Sequence, residues 1–164
     1  MGQAYHAVVD KITSMLAKHD VDYEFFEHEP VRTSEEAAAA RPGYSLRQGA
    51  KAMVLRLREP GVGKRFALFV LPADRKLDMS KLKQNLGIKD VRFAQEGEVE
   101  DLTGGVVPGG VPPFAHLFGV ELYADPALFE TERIAFNCGD RRASVAMAAG
   151  DYRRLAEPTI VEIS

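Results

Sequence analysis

One run of alternating residues, from position 49 to position 57, constrains the fold of this chain more than any other segment. Successive side chains of a strand point to opposite faces, so Lys51 shares a face with Met53 and Leu55. That face is apolar, which predicts a strand in a sheet with a buried side and a lysine directed toward the core. An unpaired ammonium group there is unfavourable, so Lys51 either faces a pocket or precedes the strand and reaches water.

Residues 66–71 form a second run, which is apolar on both faces, as a central strand would be. The residues Pro-Gly-Val-Gly at 60–63 lie between the two runs and predict that they pair as a hairpin. Strands that follow one another, with helices unevenly placed among them, favour an α+β fold over a doubly wound sheet. The predicted helices lie near 5–19, 33–40, 78–87 and 96–102, and further short strands lie near 21–26, 91–93, 120–123, 134–136, 143–147 and 159–163.

The chain has the length and composition of one globular domain. With 164 residues it is long enough for one hydrophobic core and too short for two ordinary domains, so 1–164 is expected to be a single domain. No apolar stretch approaches the length that spans a bilayer, so no membrane partner is expected. The first residues, Met1 to His6, lack a basic start followed by an apolar segment, so the expected localisation is cytoplasmic.

Residues with metal-binding or redox chemistry are few. Cys138 is the single cysteine, which excludes an internal disulfide and a zinc site built from several thiolates. The four histidines, which include His28 and His116, show no metal-type pairing, so we expect no metal and no other cofactor. Cys138 would be a nucleophile only beside a histidine base, and each histidine is either a base or a packing residue.

Basic residues are unevenly spread, although the net charge is −3. The net charge argues against a protein that coats nucleic acid by bulk electrostatics, and no DNA partner is expected. Local clusters form either a modest phosphate-contacting face or an ordinary solvated surface. The clusters are Arg47, Lys51, Arg56, Arg58, Lys64 and Arg65; then Lys76, Lys81, Lys83 and Lys89; then Arg141, Arg142, Arg153 and Arg154.

The segment from Gly104 to Phe114 is rich in glycine and proline. These residues form either a rigid loop whose exposed amides cradle an anion or oxyanion, or a plain connection. The segment lacks the ending of a nucleotide P-loop and the spacing of a dinucleotide fingerprint. A further segment, from Asn137 to Asp140, is predicted to be a hairpin turn between two strands.

Six short motifs occur in order along the chain. They are Glu-His at 27–28, Thr-Ser-Glu-Glu-Ala at 33–37, Gln-Gly-Ala-Lys-Ala at 48–52, Leu-Thr-Gly at 102–104, Gly-Gly-Val-Pro-Pro-Phe at 109–114 and Asn-Cys-Gly at 137–139. Together they resemble the YbaK/ProX superfamily, the freestanding relatives of the editing domain inserted in bacterial prolyl-tRNA synthetase. The resemblance spans nearly the whole chain, and its most specific parts are the lysine strand and the Gly-x-x-x-Pro loop at 109–113.

The resemblance implies a mixed, strongly bent β sheet or barrel surrounded by helices. It also implies trans-editing, which is hydrolysis of the ester between a wrong amino acid and the terminal adenosine of a tRNA. The implied partners are the aminoacyl-tRNA acceptor end and prolyl-tRNA synthetase. Alanyl-tRNA(Pro) and cysteinyl-tRNA(Pro) are the leading substrates, because a hydrophobic pocket separates small side chains weakly.

The resemblance further implies roles for individual residues. Lys51 holds the 3'-terminal nucleotide through phosphate, which suits its point charge. Backbone groups of the loop face the ester and the attacking water, where amide dipoles stabilise developing negative charge; the loop residues are Gly109, Gly110, Val111 and Pro113. The general base stays open. The implied substrate-binding residues are His28, Thr33, Phe114, Asn137 and Gly139.

Two other classes of function fit the same residues. One is a non-catalytic module that binds tRNA or a nucleotide on the same fold. The other is an enzyme in which Lys51 forms a Schiff base with a small carbonyl compound, which requires a neutral amine and a nearby acid-base pair.

Overall fold

The structure, a computed structural model, describes residues 4–164. The localisation was predicted from the segment Met1 to His6, and its first three residues lie outside the described residues. No helix in the described part is long and apolar enough to cross a membrane. The helices are α1 (Ala7–Lys18), α2 (Ser34–Ala39), α3 (Met79–Leu86), α4 (Glu96–Thr103) and α5 (Ala149–Ala156). The strands are β1 (Tyr23–Glu27), β2 (Ala50–Glu59), β3 (Gly63–Pro72), β4 (Asp90–Phe93), β5 (Glu121–Ala124), β6 (Arg133–Asp140), β7 (Ala143–Ala148) and β8 (Thr159–Ile160).

The strands divide into two sheets. β2 and β3 pair along their full lengths as the predicted hairpin, within a five-stranded sheet of order β4-β2-β3-β5-β8. A three-stranded antiparallel sheet has the order β1-β7-β6, and a bridge between Gly49 and Ala135 joins the two sheets at the start of β2. The predicted α+β class is confirmed. The closed barrel that the resemblance allowed is wrong for the described chain, because β2 leaves the smaller sheet after one bridge.

The two faces of β2 pack into different cores. Leu55 and Leu57 are fully buried in a smaller cluster, and Met53 packs against it. Ala50 and Val54 belong to the main cluster, which also contains the buried face of α1. The predicted alternation of β2 is therefore confirmed. Burial of each large apolar side chain contributes about 1.5–3 kcal/mol, so a slip in register would be costly.

Residues 137–140 belong to β6, and the prediction of a turn there is wrong. The chain reverses after Asp140, and the pairing of β6 with β7 shifts register between Asn137 and Asp140, as in a β-bulge. Gly139 has a φ of +117°, and a Cβ there would lie 2.8 Å from Val8 Cγ1. Residues that are typical of turns therefore form a bulge under α1, because a turn and a bulge both need a backbone conformation that glycine adopts easily.

Candidate functional site

A cavity of about 190 Å³ opens to solvent where the two sheets meet. Its walls come from the segment that enters α2, from the first residues of β2, and from the glycine-rich loop. Because this volume is below that of most drug-sized pockets, it suits a small group at the end of a larger ligand. The lining includes Thr33, Ser34, Arg41, Lys51, Met53, Gly109, Val111 and Asn137.

Lys51 lies in the wall of this cavity and is half-buried. Its Nζ donates a hydrogen bond to the carbonyl oxygen of Arg75 at 2.8 Å. Burial lowers the pKa of Lys51, whereas the nearby carboxylates of Glu35 and Asp74 act in the opposite direction. An ammonium group has three N–H donors, so it can bind a ligand oxygen as well as this carbonyl.

The glycine-rich loop is held against the end of β6. Gly110 accepts a hydrogen bond from the backbone N–H of Gly139 at 2.8 Å. Arg141 donates through Nη2 and Nε to the carbonyl oxygen of Pro108 at 2.6 and 3.1 Å. Gly109 has a φ of +89°, which only glycine adopts without strain, and it exposes its backbone to the cavity. These contacts give the loop a defined position beside the cavity.

Only part of the predicted loop set faces the cavity. Gly109 and Val111 line it. The N–H of Gly110 donates to the carbonyl oxygen of Val107 at 3.0 Å, so it is used within the loop and does not fit the expected role at the ester. Pro113 has no N–H, and its carbonyl oxygen accepts from the Tyr152 hydroxyl at 2.7 Å. The candidate amide donors are therefore those of Gly109 and Val111.

Asn137 connects the loop to a buried arginine. Its Nδ2 donates to the carbonyl oxygen of Gly109 at 2.6 Å. Its Oδ1 accepts from Nη2 of Arg41 at 3.0 Å and from Oγ of Ser144 at 3.1 Å. Arg41 also donates through Nε to Ser144 Oγ at 2.9 Å. The orientation of the Asn137 amide is thus set from the side opposite to the loop.

Arg41 is the buried charge of this site. It is 5% exposed, and no carboxylate of the described residues lies within ion-pair distance of its guanidinium. Burial lowers its pKa to about 10, so it stays charged at neutral pH. Nothing in the local sequence separates Arg41, followed by Pro42 and Gly43, from a surface arginine at a helix end. Its importance depends on β6 and β7, which are distant in sequence, so sequence reasoning missed it.

Other predicted site residues divide between the cavity and its surroundings. Thr33 lines the cavity and caps α2, with its Oγ1 accepting from the N–H of Glu36 at 3.0 Å. His28 lies outside the lining, with Nε2 2.8 Å from Ser144 Oγ. Gly139 also lies outside it, under α1.

Phe114 does not fit its expected role in substrate binding. It is fully buried, and its ring packs edge-on against Phe136 and Tyr152, with centroid distances of 5.7 and 5.2 Å. Its position directly after the loop made it a candidate in the sequence. The main core takes this side chain because the chain turns inward immediately after Pro113.

The described lining contains no histidine, aspartate, glutamate or cysteine. Cys138 is fully buried, and burial raises the pKa of its thiol to about 12, so it is not a thiolate near neutral pH. Within residues 4–164, no group of three or more histidine, cysteine or acidic side chains is arranged to hold a metal ion. The chemistry open to this cavity is therefore that of backbone dipoles, hydroxyl groups and fixed cations.

Comparison with known proteins shows the family to which the chain belongs. Residues 28–155 match the model of the family described as the aminoacyl-tRNA editing domain. The chain is 37% identical over 152 residues to the multifunctional Ser/Thr-tRNA deacylase ProXp-y of Escherichia coli (strain K12). This match covers 92% of this chain and 89% of that protein. It is 29% identical over 135 residues to a proline–tRNA ligase of Stenotrophomonas maltophilia (strain R551-3). That match covers 82% of this chain but only 23% of the ligase.

The fold has a solved counterpart. A crystal structure of a protein with a proposed trans-editing role for prolyl-tRNA synthetase superimposes with a TM-score of 0.79 at 24% identity. The match covers 98% of this chain and 99% of the other, and it concerns the fold alone. The family match and the 37% identical relative confirm the resemblance found in the sequence. This chain belongs to the aminoacyl-tRNA editing domain family.

Proposed function

We propose that this aminoacyl-tRNA deacylase hydrolyses the ester of a tRNA charged with a small hydroxylated amino acid, serine or threonine. The observation that carries the proposal is the small cavity in which hydroxyl groups of Thr33 and Ser34, the cation of Lys51 and the backbone of Gly109 meet. The named activity of the relative from Escherichia coli, a Ser/Thr-tRNA deacylase, supports the same choice.

The cavity suits an aminoacyl group rather than a whole nucleotide. Its volume of about 190 Å³ leaves the base and the rest of the tRNA outside. An apolar pocket does not strongly reject a side chain that only adds a hydroxyl, whereas a pocket with hydrogen-bonding groups favours the side chain that pairs with them. Thr33 keeps its hydroxyl proton while its oxygen caps α2. This polarity shifts the proposal from the alanyl and cysteinyl esters to the seryl and threonyl esters.

The proposed reaction is the attack of water on the ester carbonyl. A bond forms between the water oxygen and the carbonyl carbon, and the tetrahedral intermediate carries negative charge on the former carbonyl oxygen. The N–H groups of Gly109 and Val111 stabilise this oxyanion, since dipoles fixed in advance need no reorganisation. The carbon–oxygen bond to the ribose then breaks, and the ribose oxygen takes up a proton. The products are the free amino acid and the tRNA.

The proton of the attacking water passes to the substrate in this scheme. The described lining offers no imidazole or carboxylate as a base, so the neighbouring hydroxyl of the terminal ribose is the proposed proton relay. Its oxygen accepts the proton of the water while its own proton passes to the departing ribose oxygen. Lys51 holds the terminal nucleotide through a phosphate oxygen, for which a compact ammonium group is suited. The loop and the lysine thus act on different parts of one substrate.

A panel of charged tRNAs tests the proposal. We expect the protein to release serine and threonine faster than alanine or cysteine. Lys51→Ala should sharply lower kcat/KM with an unchanged melting temperature, and Lys51→Arg should rescue poorly because its planar fork is larger. Lys18→Ala, at an exposed lysine in the last turn of α1, is the matched control and should behave as the unaltered protein.

Three outcomes would contradict this reading. Faster release of alanine or cysteine would restore those esters as the substrates. Binding of charged tRNA without release of any amino acid would favour the non-catalytic module. Trapping of Lys51 by borohydride with a small carbonyl compound would favour the Schiff-base enzyme.

We also propose that prolyl-tRNA synthetase supplies the mischarged substrate. The chain matches a segment of a proline–tRNA ligase, and this similarity supports a synthetase of that class as the source of the substrate. Mixing the protein with a prolyl-tRNA synthetase that lacks editing should lower the yield of mischarged tRNA. An unchanged yield at saturating protein would contradict this partner.

A further inference from the structure

The far end of the β2–β3 hairpin carries an unusual arrangement of charge. In the register of the sheet, Arg56 of β2 lies directly opposite Arg92 of β4, and Arg58 lies directly opposite Lys64 of β3. Arg56 and Arg58 are two residues apart and therefore share a face. These four cations form one group on one face of three adjacent strands, and we name it the basic hairpin surface.

Like charges directly opposite each other in a sheet are destabilising. Two such pairs side by side would not favour folding unless anions neutralise them. Arg92 has an internal anion, since its Nη1 and Nη2 lie 2.8 and 3.0 Å from the two carboxylate oxygens of Glu98. Arg58 has a distant one, Asp90, at 3.8 Å.

The other two cations are less well neutralised. Within residues 4–164, Arg56 and Lys64 have no carboxylate within 4.0 Å. By contrast, other members of the same sequence cluster are internally paired: Arg65 with Glu59 at 2.5 Å and Arg47 with Glu130 at 2.6 Å. The structure thus separates basic residues that stabilise the fold from those available to an external anion.

The basic hairpin surface lies beyond the cavity along β2. Both faces of β2 reach the cavity, through Ala50 and Ala52 on one side and Lys51 and Met53 on the other. On the face of Ala52, Val54 comes next and is buried in the main core, and Arg56 and Arg58 follow about 13–20 Å beyond Ala52 at the rise of a β-strand. A shallow cleft among these side chains exposes them to solvent. A polyanion whose end enters the cavity therefore has to pass over the outside of the core, and a span of about 13–20 Å is short enough for it to reach the cations.

We propose that the basic hairpin surface binds backbone phosphates of the acceptor stem of the tRNA whose charged end occupies the cavity. This inference rests on the proposed function, because the cavity sets which end of the RNA is held. Arginine binds phosphate through paired N–H groups, and lysine binds it as a point charge. The surface contributes to binding of the intact tRNA and not to the chemical step.

The double variant Arg56→Gln/Lys64→Gln tests this inference on two substrates, seryl-tRNA and 3'-seryl-adenosine. For seryl-tRNA, we expect KM to rise with little change in kcat, and the slope of log(kcat/KM) against log salt concentration to become shallower by about 2. For 3'-seryl-adenosine, which has no acceptor stem, the rate should not change. The matched control Lys11→Gln/Lys18→Gln removes the same charge from the exposed face of α1 and should leave both substrates unaffected.

An unchanged KM and salt slope for seryl-tRNA would overturn the inference, as would an equal loss in the control or an equal loss on 3'-seryl-adenosine. Failure of the unaltered protein on both substrates would instead overturn the proposed function. In that case the salt dependence of binding to uncharged tRNA still tests whether the basic hairpin surface contacts phosphates. A slope identical in the unaltered protein and the double variant would then refute the phosphate contacts.

Discussion

Replacing Arg41 by methionine tests whether this buried guanidinium positions the loop or only supports the fold. Methionine keeps the apolar stem but removes the donors that reach Ser144 Oγ at 2.9 Å and Asn137 Oδ1 at 3.0 Å. Asn137 Oδ1 then keeps Ser144 as its remaining partner. The amide that donates to the carbonyl oxygen of Gly109 is less restrained, so the loop can shift.

The expected loss of stability is modest. Three hydrogen bonds are lost, each worth about 1 kcal/mol or less, the longest being the 3.4 Å bond from Nη1 to the carbonyl oxygen of Ala135. The Ser144 and Asn137 acceptors stay paired, because they bond to each other. The guanidinium itself opposes folding, since burial without a carboxylate lowers the pKa of Arg41 to about 10. The free energy of unfolding should therefore fall by no more than about 3 kcal/mol.

The expected loss of activity is larger and falls on kcat. A displacement of about 1 Å in a positioning group can cost roughly 10²-fold in rate. KM should change little, because Lys51 and the basic hairpin surface are unaltered. Arg41→Lys should restore part of kcat, since an ammonium group can replace one of the donors but not the fork.

Urea unfolding and steady-state deacylation of seryl-tRNA measure the two effects separately. Arg133→Met is the matched control, because Arg133 lies on β6 and bonds to Tyr44 and Glu24 away from the cavity. In the double variant Arg41→Met/Asn137→Ala, the losses in kcat should be less than additive, as for residues that act through one contact. An unchanged kcat in folded Arg41→Met, or strictly additive losses, would refute the positioning role.

Four further variants separate the roles of other residues. Gly109→Ala keeps the N–H but strains the backbone at a φ of +89°, so the displaced donor should lower kcat by roughly the 10²-fold that loss of an oxyanion donor costs. Gly110→Ala, where a Cβ would lie 3.3 Å from the carbonyl oxygen of Val107, should mainly lower the melting temperature. The reverse pattern would return Gly110 to the site. Cys138→Ala should keep most of the deacylation rate because the thiol is protonated, and an inactive variant that still binds tRNA would indicate a covalent thiol mechanism. Burial raises the pKa of Asp125, but hydrogen bonds from Ile163, Ala127 and Ser164 lower it more, to below its ordinary value. Its ionised form therefore stabilises the fold above about pH 4, and this contribution is lost as pH falls through the lowered pKa. Asp125→Asn should remove that part of the pH dependence in urea unfolding, and an identical pH profile would contradict it.

Local patterns were sufficient for most elements of the fold. The β2–β3 hairpin follows from two apolar runs around a glycine-rich turn, and the face of each side chain was predictable because it depends only on parity. The start of α2 at Thr33 follows from a capping residue three positions before Glu36. In both cases the interacting residues are close in sequence, so the physical cause is visible without the fold.

The candidate site was predictable in part. Lys51 and the loop were identified by their motifs, and both lie in the cavity wall. The burial of Phe114 and the internal bond of Gly110 were not predictable from these motifs, because a motif states which residues occur together and not which atoms face the ligand. Arg41 had no sequence signal, since its partners lie on β6 and β7, about a hundred residues later.

The sequence by itself determined the α+β class, the paired strands and the family, because these depend on local periodicity and on short motifs. Only the tertiary structure decided that residues 137–140 continue a strand, that Arg41 supports Asn137, and that four cations share one face. Backbone propensities at 137–140 are equally compatible with a turn and a bulge, and pairing with β7 makes the choice. The pairing of a charge and the burial of a side chain depend on neighbours in space, and those neighbours are set only when the two sheets come together.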